Sequence, residues 1–235
     1  MTQPQPIKDL DAIDPRLLLQ PTPFIQASAP EVIAFARMTI GDAATDVERG
    51  IRLFYAVRDK ILYDPYRLPE DEEGYQARTV LREKRAFCIP KSNLLAAVAR
   101  AVGIPAAVGF ADVVNHLVTE KLRKAMGGKD LFIYHGYTML KLGGKWFKVT
   151  PAFNLSLCEK FGVLPLDFDG KSDALLHPFD AHNNRHMEYV RERGVFSEFP
   201  YQEIRDAFQA YYPDWGKSKE ELENAEFSEE KPIEP

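Results

Sequence analysis

The strongest constraint on the fold is the segment from Cys88 to Gly103, in which most residues are apolar. Leucine, alanine and valine occupy all sides of a helix drawn through residues 88–102. A helix that is hydrophobic all round belongs inside a domain, with other layers packed on both sides. Gly103 suits the left-handed position after the last turn, and Pro105 blocks further helix. The sequence therefore predicts a central, buried helix that begins at Cys88.

The segments around this helix predict helices before it and strands after it. Thr45 and Glu48 form a capping box, which opens a helix whose apolar stripe continues to Tyr63. AAVGFADV predicts a strand, and Gly143-Gly144 joins the runs DLFIYHGYTMLKL and KWFKVTPAF as a two-residue hairpin. Helices first and an antiparallel hairpin later indicate an α+β fold. Further helices are predicted at 30–41 with Ser28 as cap, 77–84, 116–126, 185–193 and from Pro200.

The length and charge limit the organisation of the chain and its partners. The 235 residues suffice for one core with appendages. We expect a proline-rich arm at 1–28, a core at 29–160, a helical C-terminal extension packed on the core at 161–215, and an acidic, flexible tail at 216–235. The net charge of −5 argues against a nucleic-acid partner. Two cysteines and no long apolar stretch predict a cytoplasmic protein with free thiols and no membrane partner.

The hairpin register places polar residues on one face of the sheet. If Gly143-Gly144 forms the turn, His135 lies opposite Ala152. Residues two positions along the partner strand share this face, at about 7 Å by Cα. Thr150 and Asn154 are therefore predicted to lie diagonal to His135 on the same side of the sheet.

Cys88 stands at the start of the predicted helix, where free amides and the positive end of the dipole stabilise a thiolate. Lys84, Arg85 and Lys91 would add to this effect if they face the sulfur. A thiolate beside an imidazole is an activated nucleophile, and a third group normally orients the imidazole. The alternative is that Cys88 is a small buried hydrophobic residue, which is common for cysteine.

Several elements together resemble the core of the transglutaminase-like superfamily. They are Cys88 opening an apolar helix, RAVGIPAAVGF, YHGYTMLKLGGKW and WFKVTP, with VERGIRLFYAVRDKILYDP resembling the helix before the cysteine. The resemblance covers roughly residues 30–155. It implies a papain-like α+β core with a Cys–His–Asp triad, in which Cys88 is the nucleophile and His135 the base. It also implies acyl transfer or amide hydrolysis through a thioester, on a protein, peptide or other amide substrate, without a cofactor.

The chain departs from the family pattern at the third position of the triad. Thr150 stands where the resemblance leads us to expect aspartate, and a threonine accepts a hydrogen bond but supplies no charge. Asn154 is the alternative orienter, since neutral amides serve in related triads. Further acidic candidates are Asp112, Asp167 and Asp169. The missing aspartate favours a second hypothesis, an inactive binding or scaffold protein that kept the fold.

A third hypothesis uses the histidines at 177–186. His182 and His186 are four residues apart, so on a helix they would share a face, and His177 lies nearby. This would be a metal-dependent hydrolase, but prolines and asparagines in the segment favour a polar loop, and we expect no metal there. Cys158 has apolar neighbours and is predicted to be a structural thiol.

Overall fold

The structure, a computed structural model, describes residues 3–115, 118–175 and 187–232. The helices in these ranges are α1 Pro30–Ile40, α2 Asp46–Lys60, α3 Ala77–Glu83, α4 Cys88–Ala101, α5 Glu120–Ala125, α6 Leu155–Phe161, α7 Tyr201–Tyr211 and α8 Lys219–Glu223. The strands are β1 Leu62–Tyr63, β2 Arg85–Ala86, β3 Ala106–Asn115, β4 Leu131–Leu142, β5 Lys145–Val149 and β6 Met187–Phe196. The α+β prediction is confirmed.

The predicted central helix lies in the middle of the molecule. Every residue of α4 from Cys88 to Arg100 is buried, between β3 and β4 on one side and α1, α2 and α3 on the other. Because leucine and alanine cover all its faces, both layers gain apolar contact with it. Gly103 has a φ of +83°, the left-handed conformation that ends the helix segment.

The capping box at the start of α2 is confirmed. The Thr45 hydroxyl accepts from the Glu48 amide at 3.2 Å, and the Glu48 carboxylate accepts from the Thr45 amide at 3.1 Å. The helix ends at Lys60, before the predicted end near Tyr63. A contact with a distant segment ends the helix, because the residues of β1 pair in parallel with β2, just before Cys88.

The main sheet is antiparallel with strand order β5-β4-β3-β6. The hairpin at Gly143-Gly144 forms in the predicted register, with both glycines at positive φ. Its ladder ends at the pair Thr138–Val149, so the predicted pairing of His135 with β5 is absent from it. The chain after β5 pairs instead with the segment at Ala174.

Three predicted elements differ from the structure. The helix predicted at 185–193 is wrong, because Met187–Phe196 forms the edge strand β6. Arg191 and Glu192 face solvent on this sheet edge, where charge discourages pairing with other chains. The helix predicted at 116–126 is shorter, beginning after Thr119. Ala29, not Ser28, precedes α1, and Pro30 occupies its first position.

The N-terminal arm packs on the face of the sheet opposite α4. Leu18 is fully buried there against Ala107, Tyr137 and Met139, whereas Leu17 is exposed. The Ile7 amide donates to the backbone of β6 at 2.7 Å. The arm therefore closes the outer side of the sheet.

The C-terminal segment differs from the expected flexible tail. Leu222, Ala225 and Phe227 are buried and belong to the main core. The extension before it is also not purely helical, because β6 joins the main sheet. Within the described ranges, no helix is both long and apolar enough to cross a membrane.

Candidate active site

Cys88 lies where α4 and β4 approach each other closely. A Cβ atom on Gly136 would lie 2.9 Å from the Ile89 Cα and 3.2 Å from the Cys88 carbonyl oxygen. Only glycine lets the strand come this near to the start of the helix. His135 precedes this glycine, and Cys88 and His135 line the same cavity of about 50 Å³.

The backbone of β4 is irregular immediately before His135. Tyr134 has a φ of +55°, which is uncommon for a residue with a side chain, and its amide donates to Asp112 at 3.1 Å. Asp112 on β3 lies opposite this bulge in β4, and Arg193 on β6 binds its carboxylate through two nitrogens at 2.9 and 2.7 Å. Bulges redirect side chains at active sites. The Asp112–Arg193 pair therefore fixes the backbone that carries His135.

Burial dominates the ionisation of both groups. Cys88 is 8% exposed and His135 4%. Burial raises the pKa of the Cys88 thiol to about 11, although the amides of Gly136, Ile89 and Cys88 itself favour the thiolate. Burial also lowers the pKa of the His135 imidazole to about 4. In this closed arrangement both groups are neutral at pH 7.

The three cations predicted near the sulfur have separate roles. The Lys91 charge lowers the Cys88 pKa to a small extent, and its Nζ donates to two carbonyls at the end of α2. Arg85 forms ion pairs with Asp64 and Glu226. Lys84 ends α3 in the left-handed conformation. Lys91 is therefore the one of the three cations that acts on the thiol, and burial in the core lowers its own pKa well below the ordinary value.

The two predicted orienters of the imidazole have different surroundings. Thr150 Oγ1 and His135 Nε2 are buried, and neither makes a hydrogen bond of standard geometry within the described ranges. The Asn154 carbonyl oxygen accepts from the Tyr63 amide at 2.8 Å, and its amide nitrogen donates to Ser156 at 2.8 Å. Asn154 thus holds β1 against the start of α6, while the orienter roles of Thr150 and Asn154 stay predictions.

Other candidate side chains lie in varied settings. Asp167 is exposed and pairs with Arg58, and Asp169 accepts from two nearby amides. The Tyr189 hydroxyl interacts with Thr150, which partly opposes the burial that raises the Tyr189 pKa. Cys158 is buried on α6, and burial raises its pKa to about 11. His177, His182 and His186 lie outside the described residues, so the metal hypothesis stays a prediction.

The cavity is closed by apolar side chains from α5, α7 and the segment that follows α7. These are Leu122, Met126, Phe208, Tyr212 and Trp215. The Tyr212 hydroxyl donates to the Leu131 carbonyl at 2.8 Å and accepts from the Ile133 amide at 2.9 Å, which ties the cover to β4. About 50 Å³ has room for a water molecule or two, not for a peptide. In this arrangement a peptide therefore does not fit beside Cys88.

We expect the protein to lose stability as the pH falls from 6.5 to about 4, because of His135. The folded state holds the imidazole neutral to a lower pH than the unfolded state, which binds more protons in this window. The contribution of His135 to the free energy of unfolding is therefore fully present above the unfolded pKa of 6.5, and about 3 kcal/mol of it is lost by pH 4.

Urea unfolding of the wild type and of His135→Gln across this window checks the prediction. The wild-type free energy of unfolding should fall more steeply than that of the variant. Because the remaining histidines and the carboxylates are common to both proteins, the difference between the two slopes isolates His135. Equal slopes would mean that the imidazole is solvated in the folded protein.

The fold and the cysteine–histidine cavity together define a papain-like class of protein. The family model of the transglutaminase-like superfamily matches residues 33–151, just over half of the chain. This chain therefore belongs to the transglutaminase-like superfamily. No curated protein matches it significantly.

Solved structures with a similar fold come from several bacteria. A proposed cysteine protease from Cytophaga hutchinsonii is 14% identical with a TM-score of 0.45, covering 82% of this chain and 58% of that one. A proposed protease from Parabacteroides distasonis is 21% identical with a TM-score of 0.36, covering 50% and 22%. The periplasmic domain of TgpA from Pseudomonas aeruginosa is 24% identical with a TM-score of 0.40, covering 60% and 48%. The alignments thus span less than two thirds of each of these chains.

Proposed function

We propose that this protein is a cysteine-dependent enzyme that transfers or hydrolyses acyl groups of amides, with Cys88 as nucleophile and His135 as general base. The observation that carries the proposal is the cavity shared by Cys88 and His135 beside the close approach of α4 and β4 at Gly136. In a member of the transglutaminase-like superfamily, a cysteine at a helix start beside a strand histidine has the arrangement of an activated nucleophile.

The reaction needs four proton transfers, two in each half, and passes through a thioester on Cys88. The Cys88 sulfur attacks the carbonyl carbon of an amide while His135 Nε2 or Nδ1 accepts the thiol proton. Collapse of the tetrahedral intermediate breaks the C–N bond, and the imidazolium gives the proton to the leaving amine. A thioester remains on Cys88. Water or a second amine then attacks the thioester carbonyl and loses a proton to His135. The C–S bond breaks, a carboxylic acid or a new amide is released, and the imidazolium returns the proton to the Cys88 sulfur.

Opening of the cover would activate the two groups. Burial is the main cause of both pKa displacements, so hydration of the cavity would lower the Cys88 pKa and raise the His135 pKa. The amides of Gly136 and Ile89 favour negative charge at this point, and the start of α4 adds its dipole. The same amides are candidates to stabilise the oxyanion of the tetrahedral intermediate.

A second candidate function is binding or scaffolding without catalysis. The observations in its favour are the threonine at position 150 and the closed cavity, in which thiol and imidazole are both neutral at pH 7. In this case Cys88 would act as a buried apolar residue, and the fold would serve recognition alone.

Alkylation of Cys88 by iodoacetamide against pH separates the two candidates. For an active pair, we expect labelling at Cys88 below pH 7, slowed about tenfold in His135→Ala because the base that takes the thiol proton is lost. Peptide mass locates the label, and the buried Cys158 serves as an internal control for unfolding. Labelling of Cys88 only near or above pH 8.5, at the same rate in both proteins, would support the scaffold function instead.

A further inference from the structure

A larger groove of about 880 Å³ lies beside the closed cavity. Leu68, Phe208 and Trp215 line both spaces and form the wall between them. The groove is also lined by Ala86 and Pro90, each two residues from the proposed nucleophile in the chain. A ligand in this groove would therefore reach the sulfur once the wall moves.

Two arginines in this groove already hold a carboxylate of the same chain. The Nη1 of Arg85 donates to both carboxylate oxygens of Glu226, at 3.3 and 3.1 Å, and Arg67 Nη2 lies 3.8 Å from it. Glu226 belongs to the C-terminal segment, between α8 and the end of the described chain. The buried Asp64 is a second acid near both arginines, at 3.3 and 3.5 Å, and Glu70 and Glu83 line the groove elsewhere. Two positive charges thus face one fixed acid and one acid from a distant segment.

The contacts of Glu226 are loose enough to be exchanged. The Arg67 Nε is buried and makes no hydrogen bond within the described ranges, although it lies in ion-pair distance of Asp64. The Glu226 side chain is 46% exposed, and ion pairs this exposed contribute little stability. Phe227 next to it is buried, so the Glu226 side chain can rotate away without unpacking the segment.

A third arginine adds positive charge on another wall of the groove. Arg205 lies on α7, one turn from Tyr201, is exposed, and makes no ion pair in the part of the chain that the structure describes. Aromatic side chains of Tyr66, Tyr75 and Tyr201 line the space between these cations. The groove therefore combines arginines that bind carboxylates with surfaces against which a peptide backbone can pack.

We infer that Arg67 and Arg85 form a carboxylate subsite for an acidic side chain of a peptide substrate, and that Glu226 occupies this subsite in the closed chain. The inference rests on the proposed function, since it names a substrate class for that site. Arg85 precedes Cys88 by three residues, so their Cα atoms lie within about 10 Å. The acidic residue would accordingly stand about two or three positions from the amide that reacts.

Binding to a protein that lacks the nucleophile tests the subsite apart from the chemistry. The parent protein is Cys88→Ala. The acidic probe is a fluorescein-labelled hexapeptide with one glutamate two residues before a glutamine. The neutral probe is the same peptide with glutamine in place of that glutamate. Fluorescence anisotropy gives the dissociation constants. The test variant is Glu226→Gln, and the matched control is Glu229→Gln, an exposed residue of the same segment that has no ion pair in the described ranges.

Glu226→Gln should bind the acidic peptide about two- to tenfold more tightly than the parent, because the internal competitor is gone. The neutral peptide should be unaffected, and Glu229→Gln should match the parent. Arg67→Gln and Arg85→Gln, made in the Glu226→Gln background, should remove the preference for the acidic peptide. A melting curve on each variant confirms the fold, and Arg67→Gln leaves the Arg85–Asp64 pair in place.

Equal affinity of Glu226→Gln for both peptides, or a preference that survives loss of either arginine, would overturn the subsite. Selective binding together with an unreactive Cys88 in the alkylation experiment would support the subsite and contradict the enzymatic function. A reactive Cys88 without selective binding would support the enzymatic function and contradict the subsite.

Discussion

Replacing Lys91 by methionine is expected to lower the free energy of unfolding by about 2–6 kcal/mol. Lys91 is fully buried in α4, and its Nζ donates to the Arg58 and Ile61 carbonyls at 2.9 and 2.5 Å. These carbonyls lie at the C-terminal end of α2, where a helix has no backbone partner for its last oxygens. Methionine has a similar shape but no donor, so two buried acceptors lose their hydrogen bonds at roughly 1–3 kcal/mol each.

The pH dependence of this effect has a definite sign. Burial lowers the Lys91 pKa well below its ordinary value of 10.5, so above the folded pKa the folded state holds fewer protons than the unfolded state. Stability therefore rises with pH from the folded pKa up to about 10.5, and Lys91→Met should lack this rise. Urea unfolding at several pH values measures both effects, with the exposed Lys160→Met as matched control. A loss of stability in the control as large as in Lys91→Met would contradict the account.

The central helix and the hairpin could be predicted because local sequence determines them. The apolar residues on all sides of 88–102 leave no surface for water, and Gly143-Gly144 supplies the two positive φ angles of a tight turn. The capping box at Thr45 is equally local. Each of these features is set by residues a few positions apart, and each appears in the structure at the expected place.

The remaining features depend on contacts between distant segments. The edge strand β6 pairs with β3 across some eighty positions, and its exposed charges hide this role in the sequence. The bulge that carries His135 needs Asp112 from β3 and Arg193 from β6 together. Asp112 stands in an otherwise apolar strand, but its two partners cannot be read from spacing because they come from distant segments. The position of Trp215 in the wall of the cavity also depends on contacts between segments that are distant in the sequence.

Replacing Thr150 by aspartate is expected to accelerate the alkylation of Cys88 at pH 7 by about 10- to 100-fold. The His135 Nε2 is buried without a hydrogen bond in the described ranges, so the imidazole has unused capacity for a partner. The Thr150 hydroxyl makes no hydrogen bond of standard geometry there and interacts with the Tyr189 hydroxyl. A carboxylate within a few ångströms of an imidazole raises its pKa by about one to three pH units. Since the His135 pKa lies near 4, this change populates imidazolium at higher pH and favours the thiolate of Cys88.

Two control variants separate charge from shape at this position. Thr150→Asn matches aspartate in size without its charge. Thr150→Val keeps the shape of threonine without its hydroxyl. Only the aspartate should raise the rate, and His135→Ala should abolish the gain, because the carboxylate acts through the imidazole. Among the position-150 variants, Thr150→Asp should also lose stability most steeply below about pH 5. In this range the carboxylate, which imidazolium holds ionised in the folded protein, takes up a proton. Equal rates for the aspartate and asparagine variants would show that position 150 does not face His135, and that another group orients the imidazole.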